Sequence, residues 1–134
     1  MWQEPKTNWV STDFFNFSDY NRIKNNIQYL IEMANELYYG LAFVDMGDDK
    51  VSYAEYPYAD EFNNLEENFQ TLIIDTFPFD NFPKSVWIEN MPTPTHQDFN
   101  RLESASLKFK EGFENTKSNK SRLSFRLGDY KLKI

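Results

Sequence analysis

The sequence predicts a mainly α fold: a three-helix bundle with long Pro-bounded loops, an extended N-terminal arm and a C-terminal β-hairpin or strand. Three observations predict it. A five-residue motif recurs three times, apolar residues follow each copy at helical spacing, and the last residues alternate strictly between apolar and polar. The motif reads DYNRI at 19–23, EFNNL at 61–65 and DFNRL at 98–102. Each copy has an acid, an aromatic, Asn, Arg or Asn, and a branched aliphatic residue.

The first 17 residues form an arm that is extended and aromatic, with Trp2, Trp9, Phe14, Phe15 and Phe17, and Pro5 blocks an early helix. Such an arm either lies across its own bundle or reaches a neighbour, which makes Trp2 and Trp9 candidate partner contacts. The bundle is expected over residues 18–116 and a basic tail over 117–134.

Downstream of the first motif, Tyr20, Ile23, Ile27, Leu30, Ala34 and Leu37 keep a 3-4-3-4-3 spacing, one face of an amphipathic helix. Phe62, Leu65, Phe69 and Leu72 repeat the register, with Ile73 beside it. Phe99, Leu102, Phe109 and Phe113 repeat it again, with Ser106 as a polar gap. Ser18 or Asp19, Asp60 and Thr95 are candidate caps for orphan N–H groups, and acids in each first turn suit the helix dipole. Gly40, Pro78 and Asn115 are the expected stops. Helices are therefore predicted at about 18–39, 60–76 and 95–115. The motif Asn residues, Asn21, Asn63 and Asn100, stand 42 and 37 residues apart, in the range of helical repeats. Helix-start chemistry explains the acid and the aromatic but not a recurring Asn. Its carboxamide is a candidate to hydrogen-bond a loop or a neighbouring chain.

Between the helices lie two long loops. Residues 41–59 admit a short strand at 51–53, and the DMGDD run there matches no EF-hand spacing, so a solvated turn is expected. Residues 78–94 hold four prolines around SVWIE, where a short strand would bury Trp87. Loops this long are usually functional or ordered by a partner. In RLSFRLGDYKLKI a two-residue turn at Gly128-Asp129 would pair Leu127 with Tyr130, Phe125 with Leu132 and Leu123 with Ile134 on one face. Arg126 and Lys131 would lie opposite. That apolar face needs a surface, on this chain or on a neighbouring subunit.

Composition narrows the function. The chain has 134 residues, most simply one domain plus a tail, and no cysteine, so disulfides and thiolate metal sites are excluded. Thirteen Phe and eight Tyr exceed what one small core holds, which points to aromatic contacts with a partner. The formal charge of −7 argues against general nucleic-acid binding. Six cations against Asp129 give residues 117–134 a net +5, leaving −12 on the rest. The basic tail either docks on an acidic neighbour or folds back on its own body. The N-terminus lacks a signal-like apolar run, and no stretch approaches a membrane span, so a soluble protein is expected, with no membrane partner. His96 is the single histidine, and the four glycines form no phosphate loop. No enzymatic activity, cofactor or metal is expected.

With these motifs in view, PKTNWVSTDFFNFSDYNRIKNNIQYL resembles the opening of small structural proteins encoded in tail regions of tailed bacteriophages and prophages of low-GC Gram-positive hosts. That family pattern is a Trp-containing extended start followed by a DYNRI helix. A later DFNRLE helix, here DFNRLES at 98–104, and an RLSFRLG-like end complete it. Related NRIE-type helix starts precede oligomerising segments in tail fibres and baseplate appendages. The resemblance implies a virion or tail-like-particle component, made in the host cytoplasm and multimeric, adapting tail, baseplate or fibre-attachment proteins to one another. The residues expected to meet partners are Trp2, Trp9, Asn21, Asn63, Asn100, Leu123, Phe125, Arg126, Leu127, Tyr130 and Leu132. From a different class, the acidic body also suits an intracellular phage regulator that binds a basic host protein, imitating DNA. A glycan-binding tip ranks third, because exposed Trp and Tyr stack on sugars.

Overall fold

A computed structural model describes residues 2–52, 59–76, 86–88 and 94–133, with side chains placed through Asn119 apart from Asp75. Three helices pack together: α1 over Phe17–Leu37, α2 over Ala59–Asp75 and α3 over His96–Lys133. No β-strand occurs among the described residues.

The helices run parallel. Near their starts, the Tyr20 and Phe62 rings meet edge-on at 5.8 Å, and those of Phe62 and Phe99 lie 6.4 Å apart. Near their ends, Tyr38 reaches Phe113 at 6.2 Å and Lys117 pairs with Glu36. Between these levels, Phe69 stacks on Phe109 at 6.0 Å. The apolar positions read from the sequence form this core. Tyr20, Ile23, Ile27, Leu30, Leu65, Phe69, Leu72, Leu102, Phe109 and Phe113 are all buried. Each such side chain contributes roughly 1.5–3 kcal/mol of burial energy. Ser106, the polar gap, donates its hydroxyl to the Leu102 carbonyl at 3.0 Å and stays satisfied.

Parallel helices force long connections. After α1 and after α2 the chain must travel back along the bundle, roughly 25 Å for a helix the length of α2. An extended chain covers that in about eight residues. The described parts of the connections do this work, lying against the helices of their own chain. The first connection is described over 38–52, where Val44 is held by Asn68 of α2 and Lys50 by Asn21 of α1.

Four local expectations are corrected. Asn16 is the residue that caps α1, not Ser18 or Asp19; Asp19 reaches back to accept its N–H at 2.8 Å. The helix ends at Leu37, with Tyr38 extended, and Gly40 follows at φ 75°, a conformation that costs glycine little. The strand expected at 51–53 does not form at Val51 or Ser52, and Tyr53 lies outside the described residues. Residues 86–88 of SVWIE are likewise not a strand.

The largest departure is at the C-terminus. The hairpin expected around Gly128-Asp129 is replaced by helix, and a boundary at residue 117 falls inside α3. Leu123, Leu127 and Tyr130 recur at four and three residues, a spacing that serves a helix as well as a hairpin. Continuing an existing helix adds one hydrogen bond per residue without a new nucleus, whereas a lone hairpin is marginal. Gly128 opposes the helix by only about 1 kcal/mol.

Candidate interaction surface

The motif Asn is the fifth residue of every helix. There it grips one residue of an extended segment by both peptide groups. Asn21 accepts the Lys50 N–H at 2.7 Å and donates to the Lys50 carbonyl at 2.7 Å. Asn63 does the same to Trp87, at 2.7 and 2.8 Å. Asn100 does the same to Trp9, at 2.7 and 2.9 Å. An amide side chain carries one donor group and one acceptor, the complement of a peptide unit. No other residue type of this length but Asn offers both.

These clasps close a cycle. The segment before α2 is held by α1, the segment before α3 by α2, and the segment before α1 by α3. Trp9 lies 12 residues before Asn21, while Lys50 and Trp87 each lie 13 before Asn63 and Asn100. Extended segment plus helix is therefore one unit, present three times in the chain. The clasped side chain sits by the motif aromatic of the holding helix each time. Trp9 meets Phe99 at 5.3 Å, Trp87 meets Phe62 at 6.4 Å, and the Lys50 ammonium lies 5.9 Å over the Tyr20 ring. Phe15 fills the space among them, stacked on Phe99 at 4.0 Å and 6.1 Å from Phe62.

A second tier uses Asn26 and Asn68, five residues after the first two motif Asn residues. Asn26 grips Gln3 at 2.8 Å in both bonds, and Asn68 grips Val44 at 2.9 and 3.0 Å. Six residues separate the lower and upper clasps in both segments, Gln3 to Trp9 and Val44 to Lys50. The first segment thus rises from α1 to α3, and the second from α2 to α1. The third unit has Ala105 in place of the lower Asn.

Buried ion pairs follow the same cycle. Glu103 on α3, 1% exposed, accepts from Arg22 Nε at 2.6 Å and Nη2 at 3.1 Å. It also takes the Lys6 N–H at 3.1 Å and the Trp9 indole N–H. Arg101 on α3 forks onto Glu66 of α2, which has no exposed surface. The third position departs from the pattern: Asn64 stands where the arginines do, and Lys24 where the glutamates do. Lys24 instead donates to the Gly47 carbonyl at 3.1 Å and pairs with Asp49 at 2.6 Å. Burial works against the charge of Arg22, yet the hydrogen bonds it donates to Glu103 and Asp19 prevail and raise its pKa. Burial also pushes the Tyr20 phenol well up, with Glu61 and Asp60 adding to the effect.

Several expected partner contacts are therefore used within the chain. Trp9 is 3% exposed, and the carboxamides of Asn21, Asn63 and Asn100 are occupied by the clasps. Trp2 is half-buried against Tyr29, 5.7 Å away, with the Lys110 ammonium 5.4 Å from its ring. Leu123, Phe125, Arg126, Leu127, Tyr130 and Leu132 lie on the last turns of α3, where side chains are outside the described residues.

Several large apolar residues are exposed. The residue after each upper clasp is Val10, Val51 or Ile88, exposed at 52%, 76% and 62%. Phe14 is more exposed still. Beyond Lys117, α3 continues for about 25 Å past its partner on α1. Among the described residues no cluster of acidic or histidine side chains could hold a metal ion, and no helix is long and apolar enough to cross a membrane. Comparison with family models, with curated proteins and with solved structures finds no match.

Proposed function

We propose that the chain is a non-enzymatic structural adaptor of a phage tail, baseplate or fibre attachment, or of a tail-like particle, binding neighbouring virion proteins. The observation that carries this reading is the division of labour among side chains. Asn, Arg and Glu residues are spent on clasps and buried pairs that build the bundle, while Val10, Val51, Phe14 and Ile88 are left at the surface. That suits a rigid part whose outside meets other proteins. The phage context comes from the resemblance, whose motifs DYNRI and DFNRL carry two of the three clasping residues, Asn21 and Asn100.

The acidic-regulator reading is less well supported. Asp19, Asp49, Glu61, Glu66 and Glu103 all pair with cations of the same chain rather than forming a free acidic stripe. Quantitative mass spectrometry of purified particles, normalised to the tail-tube subunit, separates the two. A fixed small ratio is expected. Abundance in lysate with absence from particles would discard the structural reading and favour the regulator.

A further inference from the structure

Unbroken from His96 to Lys133, α3 carries residues 117–133 onward past the pair that Lys117 makes with Glu36 of α1. These turns run about 25 Å along the helix axis. Residues 117–134 hold six cations against Asp129, and their helical course leads that net +5 away from the body whose −12 would balance it. The matching charge lies on one face of the bundle. Between Asn25 and Asp49 the sequence has five acids and no Lys or Arg. Those acids, Glu32, Glu36, Asp45, Asp48 and Asp49, are all exposed. Glu32 and Glu36 stand one turn apart on α1, and Gln28, a turn before Glu32, lines a groove together with Asp45, Asp48 and Asp49. Within the chain Lys24 meets this strip at Asp49 and Lys117 meets it at Glu36, which leaves it negative. The last turn of α1 has no basic residue, although the helix dipole favours a cation there.

We propose that the projecting part of α3 docks on the acidic strip of a second copy of the chain, giving an antiparallel homodimer. Two copies lying side by side in opposite directions set each tail against the other's α1. The first turns of the tail then meet Glu36 and Glu32, and later turns reach the groove at Asp45 and Asp48. The contact is made twice about a two-fold axis, so it closes on itself and leaves no tail over. Charge selects the partner, because a net +5 meets a strip of five acids and complementary charge fixes register. Nucleic acid would suit the tail alone, but the −12 of the body repels it. This inference goes beyond the adaptor reading and does not depend on it.

Sedimentation equilibrium of the whole chain tests this. Twice the chain mass is expected at low salt, with the dissociation constant rising roughly tenfold or more toward molar salt as the charges are screened. Lys120→Glu with Arg122→Glu and Arg126→Glu reverses the tail, and Glu32→Lys with Glu36→Lys and Asp48→Lys reverses the strip. Each triple variant, checked for a cooperative urea transition, should be a monomer alone. An equimolar mixture of the two should form a heterodimer, since both contacts are then opposite in charge again. A monomer at every salt and protein concentration, a dimer indifferent to salt, open-ended oligomers, or a mixture that stays monomeric would each overturn the proposal. So would a monomer whose tail is needed for entry into particles, which would assign the tail to a different virion protein. Presence in particles judges the adaptor reading separately.

Discussion

Asn21 holds Lys50 by both its peptide N–H and its carbonyl, at 2.7 Å each, across 29 residues of chain. The same relation joins Asn63 to Trp87 and Asn100 to Trp9, so a single short side chain decides where each extended segment lies. The three parallel helices have parallel dipoles and no short connections between them. The clasps convert that awkward arrangement into a closed ring of contacts.

Replacing any one of these residues by alanine leaves a peptide N–H and a carbonyl in a partly buried place without partners. Asn21→Ala, Asn63→Ala and Asn100→Ala should each cost about 2–3 kcal/mol in urea denaturation. Asn→Asp at the same positions should be nearly as costly, because a carboxylate accepts from the N–H but faces the carbonyl with like charge. A loss under about 0.5 kcal/mol at all three positions would mean that the clasps are decorative.

Glu103 is the busiest acceptor, tying Arg22, Lys6 and Trp9 to α3. Glu103→Ala leaves the Arg22 guanidinium with Asp19 alone, strips the Lys6 and Trp9 N–H groups of their acceptor, and should cost about 3–5 kcal/mol. Removing both charges as Arg22→Met with Glu103→Leu should cost less than the sum of the single changes, since neither member of the buried Arg22–Glu103 pair is left facing an empty place. Strict additivity in that double-mutant cycle would show that the two side chains act independently.

The helices and their core faces were legible in the sequence because apolar periodicity and first-turn acids act locally. Tyr20, Phe62 and Phe99 are buried as their spacing predicts. The recurrent Asn was visible too, although not what it grips. The clasp recognises backbone, so the held residue is free to be Trp9, Lys50 or Trp87, and no residue type marks the three segments as equivalent. A recurrent spacing was the available signal: 12, 13 and 13 residues from held residue to motif Asn. Glu66 and Glu103 read as ordinary polar positions, because a buried carboxylate is identified by its cation on another helix and not by its neighbours in sequence. The C-terminal alternation misled because 123, 127 and 130 satisfy both periods at once.

Acid should loosen the first connection before it unfolds the bundle. The hydrogen bond from Lys24, followed by that from Asn25, holds the Asp49 carboxyl below its ordinary value of 3.8, although burial opposes this. A depressed folded-state pKa stabilises above the unfolded value and is lost as pH falls through the folded one. The contribution of Asp49 should therefore be complete above about pH 5 and fade below about pH 4. Protease cleavage within 44–52, followed from pH 6 to pH 3 with an acid-tolerant protease, should rise over that window in the native protein. Asp49→Asn should cleave faster at pH 6 and show a flatter profile; an identical profile would remove Asp49 from the anchoring of this segment.

Cutting the chain before Lys117 tests how far the bundle depends on the end of α3. The last described core residue along that helix is Phe113, and past it the Lys117–Glu36 pair at 3.5 Å reaches another helix. Both partners are more than half exposed, and such a pair contributes at most about 1 kcal/mol. Deletion of 117–134 should therefore shift the urea midpoint little while removing the mean-residue ellipticity of the projecting turns. If the tail also joins neighbouring subunits, the truncated protein will fold and fail to enter particles. Normal incorporation of a truncated chain would move the assembly contacts off α3 and onto the bundle. A collapse of stability would show instead that the basic segment folds back on the acidic body, the other course open to a net +5 tail on a −12 body.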